Sequence, residues 1–209
     1  EDAGRAYQGN LLTYRYNKPV QVYNEKVAMT RNSLTGERFS GVPVWHPLAF
    51  ADGSSIGETY KAGQWPFSLI CTKSQLQSSH TIGARRLRQI HRENAVIIHQ
   101  KDADRLGLKR GDSVKLVTPG GTAEGKADIR GGIAPGVIGI EHGFGHWGLG
   151  ARTTTIGGKV MKGDKARAAG IAHNLLGIAD SKRKNLSTLG DIVLGSNARQ
   201  GIPARLEKI

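Results

Sequence analysis

The chain has 209 residues, with 30 Lys and Arg against 17 Asp and Glu, a formal net charge of +13 and one cysteine. A single cysteine excludes an internal disulfide and any zinc or iron–sulfur site built from several cysteines of this chain, and no apolar run approaches the roughly 20 residues of a membrane-spanning helix. The positive charge indicates an anionic partner, such as nucleic acid, a phosphate-bearing ligand, an acidic protein or a membrane surface, without choosing among them.

The first part of the chain carries Pro19, Pro43 and Pro47, scattered aromatic residues and little sustained periodicity. We therefore predict an irregular extension over 1–65, packed on the rest of the chain. Within it, the apolar alternation over 20–29 fits either a strand or an amphipathic turn, and the pattern does not decide between them. The chain also starts without Met or a signal-like segment, so we expect a processed chain or a piece of a longer one.

From Trp65 onward the pattern changes to short apolar runs separated by turn-forming residues. Between two of these runs, Asp102 is placed to cap a helical turn through Leu106, with Gly107 closing it in a left-handed conformation. A short helix is expected to end near Asn174. Many short strands, with 29 glycines for tight turns, predict a mainly β fold that closes into a barrel. The predicted strands cover 67–71, 94–100, 112–119, 121–130, 136–143 and 204–209.

A row of small hydrogen-bonding side chains follows the first predicted strand, in the stretch LICTKSQLQSSHTIGARRL over 69–87. A lone Ser or His needs a base, an orienting carboxylate and an oxyanion site for catalysis, and local spacing shows none of these. Small hydroxyls and backbone amides do supply many directional hydrogen bonds with little bulk. The row therefore predicts a site that holds a polar ligand.

Three segments, LICTKSQLQSSHT, NAVIIHQKDADRLGLKRGDSVKL with the strands after it, and AHNLLG, together resemble a known family. They are similar to the C-terminal dinucleotide-binding domain of the molybdopterin oxidoreductases, the dimethyl sulfoxide reductase superfamily. The order of the elements over about 67–209 carries the resemblance more than any single motif. It implies a six-stranded double-psi β-barrel over 66–209.

The segment GFGHWGLGA and the extension beginning YRYNKPVQVYNEKVAMTRNSLTGERFSG resemble the tetrathionate reductase branch of this superfamily. The implied activity is reductive cleavage of tetrathionate to thiosulfate by a catalytic subunit of which this chain is a C-terminal fragment, inactive on its own. Related polysulfide, thiosulfate, arsenate and selenate reductases are the alternatives within the superfamily.

The same resemblance implies the cofactor and the partners. The cofactor is bis(molybdopterin guanine dinucleotide) with molybdenum or tungsten, shared with other domains of the subunit, and a four-iron, four-sulfur cluster belongs to an earlier domain. The expected partners are the remaining domains of the subunit, an iron–sulfur electron-transfer subunit, and a membrane quinol-oxidising subunit. The expected location is the extracytoplasmic, periplasmic side of the membrane.

The resemblance also assigns cofactor contacts to the polar row and to two later positions. At the position of Lys73 the family more often carries Arg. Arg can form two parallel hydrogen bonds to one anionic group, whereas Lys presents a single point charge, which still suits a phosphate or pterin oxygen. A solvated turn is an equal alternative for Ser74, Gln77 and Ser78, and a capping role is the alternative for Asn174. The predicted cofactor-binding residues are Thr72, Lys73, Ser74, Gln77, Ser78, Ser79, His80, Thr81, His142, Gly143 and Asn174.

Other polar residues are assigned no role in chemistry. Glu141, His142 and His146 are of metal-ligand type, but glycines separate the two histidines and no helix is expected to align them, so we predict no metal site. No catalytic residue is predicted in this chain. The arginines of 85–92 are expected on a solvated face, and Cys71 in the core. His91, His99 and His173 are expected to be structural or surface residues.

Two other classes of function compete with a cofactor-binding domain. Double-psi barrels also serve as substrate-recruiting modules without a metal, but such an adaptor needs neither the polar row nor AHNLLG. Nucleic-acid binding would use the positive charge, yet aromatic residues make up only 6% of the chain and no basic face interleaved with aromatics is evident. We therefore predict no nucleic-acid partner.

Overall fold

The computed structural model describes residues 23–32, 36–78, 80–148, 150–183, 188–190 and 196–209. Its helices are α1 (Glu25–Met29), α2 (Ile56–Thr59), α3 (Arg85–Ile90) and α4 (Gln100–Arg105). Its strands are β1 (Phe67–Thr72), β2 (Val96–Ile98), β3 (Ser113–Thr118), β4 (Gly121–Ile129), β5 (Val137–Glu141), β6 (Thr154–Ile156), β7 (Lys159–Met161) and β8 (Gln200–Lys208). Single 3-10 turns cover Lys165–Ala168 and His173–Leu176.

Six of the strands close into a barrel in the order β1, β5, β2, β4, β3, β8. The pairs β1–β5 and β2–β4 are parallel, and the other neighbours are antiparallel. This architecture confirms the predicted mainly β, six-stranded barrel. Strands β6 and β7 form a separate hairpin.

Strand direction decides which loops meet. Because β1 and β5 are parallel, the loops that follow them leave the same end of the barrel, and the segments that lead into the antiparallel strands β2 and β8 arrive there too. We call this end, where β1, β3 and β5 finish, the β1/β5 end. The polar row after β1 and the glycine-rich loop after β5 are therefore neighbours.

The barrel interior is filled by the alternate side chains of its strands. On β3 and β8, for example, Val114, Leu116, Ile202 and Ala204 are fully buried, as expected for strands with one face toward a core. The chain divides into one compact unit over 1–46 and 192–194 and another over 47–191 and 195–209. Residues of 47–65 contribute Phe50 to the core of the second unit. The division into 1–65 and 66–209 stays a prediction.

The local predictions differ from the structure in their helices. Helix α4 begins after His99, whose imidazole accepts the amide hydrogen of Lys101, so His99 and not Asp102 is the cap. Gly107 does close the helix with a φ of 62°. The helix predicted to end near Asn174 is replaced by the two 3-10 turns, and residues 20–22 of the ambiguous segment lie outside the described residues. Among the described residues, no helix has the length and apolar character needed to cross a membrane.

Asp102 has a structural role that the sequence pattern did not predict. Its carboxylate is buried, accepts the amide hydrogen of Gly136 at 2.6 Å and pairs with Arg105 at 3.0 Å, which ties α4 to the turn before β5. We expect Asp102→Ala to lower the free energy of unfolding by about 2 kcal/mol, because the part-buried Gly136 amide loses its acceptor and Arg105 loses its ion pair. Urea denaturation measures the change.

The control is Asp104→Ala, an exposed carboxylate two residues away that accepts a hydrogen bond from Gln100. It should cost no more than about 0.5 kcal/mol. Equal losses in the two variants would contradict a specific role for Asp102.

Candidate functional site

The loops at the β1/β5 end are joined by hydrogen bonds that extend the strand pairing. The amide of His142 donates to the carbonyl of Thr72 at 3.0 Å, directly after the last β1–β5 pair. On the other side of β1, the Gln200 side-chain amide accepts from the Cys71 amide at 3.1 Å and donates to the Cys71 carbonyl at 2.9 Å. The end of β1 is therefore fixed from both sides, and Arg199 is placed beside it.

Most hydroxyls of the polar row bind their own loop. Ser74 Oγ accepts the amide hydrogens of Leu76 and Gln77, at 3.2 and 3.3 Å. Thr81 Oγ1 accepts from the Ser78 amide at 2.8 Å and donates to the Leu76 carbonyl at 3.0 Å. These bonds shape a compact loop whose geometry is set largely from within.

Gln77 is the exception in this loop. Its side chain has no exposed surface, and neither its Nε2 nor its Oε1 has a hydrogen-bond partner among the described residues. Gly143, at a φ of 96°, packs on its backbone, where an added Cβ would lie 3.4 Å from Gln77. An unpaired buried amide costs roughly 1–3 kcal/mol. Such a group fits a ligand contact better than a solvated turn.

Two histidines at this end also carry unpaired buried atoms. The Nε2 of His142, after β5, and the Nε2 of His173, in the second 3-10 turn, are both buried without a partner in the described part of the chain. His173 was expected to be structural or on the surface, and it is buried, with only 6% of its surface exposed. The two imidazoles lie within electrostatic reach of each other and of Arg199.

Burial lowers the pKa of His142, and the positive charges of Arg199 and Lys73 lower it further, while Glu141 opposes them. Burial is likewise the main cause of the lowered pKa of His173. These shifts favour the neutral form of both imidazoles, in which one ring nitrogen donates a hydrogen bond and the other accepts one.

Asn94 links two segments of the site through buried side-chain hydrogen bonds. Its side chain, 3% exposed, donates to the carbonyls of Glu141 at 2.6 Å and Ile171 at 3.0 Å and accepts the Ile171 amide hydrogen at 2.7 Å. It thus fixes the end of β5, just before His142, to the segment that leads to His173. Neither the composition nor the spacing of the sequence singled out this residue.

A second layer supports the loop after β5. Phe144 is buried, and its ring stands edge-on to His91, whose Nε2 lies 2.6 Å from Glu141 Oε2. Arg88 donates to the carbonyls of Arg167 and Gly143, so the arginines of 85–92 are not all on a solvated face. The nearby Arg88 charge adds to burial in lowering the pKa of His146.

An open cleft of about 650 Å³ runs along the outer face of β1, β5 and β2, beside this cluster. Thr72, Lys73 and Ser74 line it at the β1/β5 end, so part of the predicted set faces this cleft and not Gln77. Lys73 connects the two features, since it lines the cleft and its charge reaches His142. Cys71 beside it is half-buried, not in the core, and burial raises the pKa of its thiol.

The remaining predicted residues are placed as follows. His80 lies exposed on the polar loop, where its amide donates to Ser78 Oγ at 3.2 Å. Ser79 lies outside the described residues. Asn174 is exposed next to buried His173. Among the described residues, no group of three or more His, Cys, Asp or Glu side chains could hold a metal ion.

A family model decides what kind of site this is. The model described as the molydopterin dinucleotide binding domain matches residues 70–174, just over half of the chain. The chain belongs to this family. The match begins within β1 and ends at Asn174, so it includes the polar loop, the loop after β5 and His173.

Individual relatives agree with the family. The chain is 42% identical over all of its 209 residues to a tetrathionate reductase subunit of Salmonella typhimurium, covering 20% of that protein. It is 30% identical to a selenate reductase subunit of Mesobacillus selenatarsenatis over 98% of the chain and 20% of that protein. The chain thus spans about a fifth of the length of these curated relatives.

A solved structure supports the fold. Acetylene hydratase from Pelobacter acetylenicus matches 82% of this chain and 22% of its own with a TM-score of 0.56 at 20% identity. At this identity the likeness concerns the fold alone.

The residues of this molydopterin dinucleotide binding domain fit such a ligand. A molybdopterin dinucleotide combines heterocycles rich in donors and acceptors with anionic phosphates. Unpaired atoms of Gln77, His142 and His173 can satisfy a heterocycle, and Lys73 and Arg199 can neutralise anionic oxygens. Two of these five, His173 and Arg199, were not in the predicted set, because no local pattern shows which distant segments the barrel brings to β1.

The lowered histidine pKa values predict a stability profile for the cofactor-free domain. In the folded chain the pKa of each imidazole is below the ordinary value of 6.5. Below pH 6.5 the unfolded chain therefore binds more protons than the folded chain. Stability contributed by neutral His142 and His173 is therefore complete above pH 6.5 and lost as the pH falls below it. Urea midpoints between about pH 7.5 and 5 measure the decline.

The variant H142Q/H173Q removes both imidazoles and should make the decline shallower, leaving the contribution of His146, whose pKa is also lowered. A wild-type domain whose stability rises on acidification from about pH 6.5, or a double variant with the same slope as the wild type, would contradict the assignment.

Proposed function

We propose that this chain is the C-terminal, cofactor-binding part of the catalytic subunit of a tetrathionate reductase. The observation that carries the proposal is 42% identity to a tetrathionate reductase subunit along the whole chain, against 30% to a selenate reductase subunit. In the proposed reaction, the central sulfur–sulfur bond of tetrathionate accepts two electrons and breaks to give two thiosulfate ions. The charges balance without a proton, because one dianion and two electrons become two dianions.

The domain's own contribution to this reaction is to bind and orient. Bis(molybdopterin guanine dinucleotide), carrying molybdenum or tungsten, supplies the two electrons when bound. Gln77, His142 and His173 would hold its heterocyclic parts by hydrogen bonds, and Lys73 and Arg199 would meet its anionic oxygens. The reaction consumes no net proton, and we propose no catalytic role for any residue of this chain.

The rest of the proposal concerns the surroundings of the domain. The other domains of the same subunit would share the cofactor and carry a four-iron, four-sulfur cluster. An iron–sulfur electron-transfer subunit, with a membrane quinol-oxidising subunit, would deliver the electrons on the extracytoplasmic side of the membrane. The support is the similarity to the Salmonella typhimurium tetrathionate reductase protein, of which this chain matches one fifth.

The test is an anaerobic assay of the complete catalytic subunit, loaded with cofactor and supplied with a reduced viologen dye. We expect the specificity constant for tetrathionate to exceed those for selenate and arsenate by at least about tenfold. A preference for selenate or arsenate would overturn the assignment in favour of a related reductase. A complete protein that contains no molybdopterin would instead favour a non-enzymatic binding module.

A further inference from the structure

The fold holds Gln77 in place while leaving its amide unsatisfied. The Gln77 backbone is fixed from one side by Ser74 Oγ, which accepts its amide hydrogen, and from the other by Gly143, which packs against it. The side chain is completely buried, and its two polar atoms find no partner in the described ranges of the chain. Thr81, in contrast, bonds within the loop, since its hydroxyl accepts the Ser78 amide hydrogen and donates to the Leu76 carbonyl.

The chemistry of a carboxamide limits what can satisfy it. An Nε2–H donor and an Oε1 acceptor lie side by side, so the matching partner presents an acceptor and a donor side by side. A phosphate or a carboxylate offers acceptors only and would leave Oε1 unpaired. A fused heterocycle with a lactam edge, in which C=O adjoins N–H, satisfies both atoms at once, as in bidentate amide contacts to bases.

We propose that Gln77 recognises the lactam edge of a cofactor heterocycle through a paired, two-bond contact and leaves the phosphates to Lys73 and Arg199. This inference rests on the cofactor binding of the proposed function. Both the pterin and the guanine of a molybdopterin guanine dinucleotide carry such an edge.

If Gln77 makes this contact, Gln77→Met should raise the melting temperature of the cofactor-free chain and lower the amount of cofactor that the complete subunit retains. Gln77→Met keeps the volume but removes the unsatisfied amide, so the cofactor-free 209-residue chain should melt roughly 2–8 °C higher. In the complete catalytic subunit, the same change should lower cofactor retained after gel filtration at least about fivefold, because the ligand's edge loses both partners. A purely structural glutamine would give the opposite sign in the first measurement.

Two further variants sharpen the test. Gln77→Glu keeps the shape but replaces the donor with an acceptor, and it should also lose cofactor. Gln64→Met changes an exposed glutamine of the same chain and should alter neither measurement. A Gln77→Met variant that melts lower when cofactor-free, or that retains cofactor like the wild type, overturns the proposal.

A comparison of two forms of the cofactor shows whether Gln77 contacts the pterin or the guanine. Retained pterin is measured by fluorescence after oxidation, in a host that makes the dinucleotide and in one that makes only nucleotide-free molybdopterin. A loss in Gln77→Met that persists in the second host assigns the contact to the pterin, and a loss confined to the first assigns it to guanine. Failure of the tetrathionate assay in the wild-type protein would leave these retention results standing, so the two proposals fail separately.

Discussion

Asn94→Asp is expected to lower the free energy of unfolding by about 3 kcal/mol and to abolish retention of the cofactor. The change is isosteric, but it replaces the Nδ2 group that donates to the carbonyls of Glu141 and Ile171 with a carboxylate oxygen. Two carbonyl oxygens would then face a buried negative charge, and both would lose their donor. Because these bonds fix the chain just before His142 and just before His173, the two histidines would no longer be held in fixed positions relative to each other. Urea denaturation and released pterin measure the two effects.

The matched control is Asn24→Asp, the same chemical change at the N-cap of α1. There the side-chain oxygen accepts the amide hydrogen of Val27, and aspartate caps a helix as well as asparagine does. This variant should match the wild type in stability and cofactor content. If Asn94→Asp also matched the wild type, the amide of Asn94 would not be what holds the site.

Gly145→Ala should have an effect of similar size through the backbone. Gly145 has a φ of 68°, and an added Cβ would lie 2.2 Å from the amide nitrogen of Ala172. A left-handed conformation costs an alanine roughly 1–2 kcal/mol, and a contact this short forces the two segments apart. We expect a total loss of about 3 kcal/mol or more in unfolding free energy, together with loss of the cofactor, measured as above.

Gly148→Ala is the control within the same loop, since an added Cβ at Gly148 meets nothing within 4 Å. It should change stability by less than about 0.5 kcal/mol. A Gly145→Ala protein as stable as Gly148→Ala would show that the two segments do not need their close approach.

The strands could be predicted from the sequence because their signal is local. In β3, apolar residues alternate and the turn formers Pro119 and Gly120 follow, so a short window contains the information. The helix near Asn174 was predicted wrongly, because the glycines and the polar residues around it leave only single 3-10 turns. The cap of α4 was misplaced for a similar reason, since His99 and Asp102 are both able to cap and only the contact of Asp102 with Gly136 separates their roles.

The site was predictable only where it follows a strand directly. The loop after β1 and the loop after β5 could be identified from their residues and from the family resemblance. Gln77 was in the set that the resemblance assigns, but its buried, unpaired amide could not be predicted, because that depends on Ser74 and Thr81 using their hydroxyls within the loop while Gln77 finds no partner among the described residues. Asn94 reaches across 77 residues to Ile171, and no sequence window contains both.

The central claim is that the β1/β5 end of this barrel holds the cofactor through Gln77 and His142. The most direct measurement is an experimental structure of the complete, cofactor-loaded catalytic subunit. The account predicts density for a cofactor heterocycle within hydrogen-bonding distance of the Gln77 amide and close to the His142 ring. Cofactor bound at the opposite end, near Asp102 and Gly136, with Gln77 paired only to protein atoms, would contradict it.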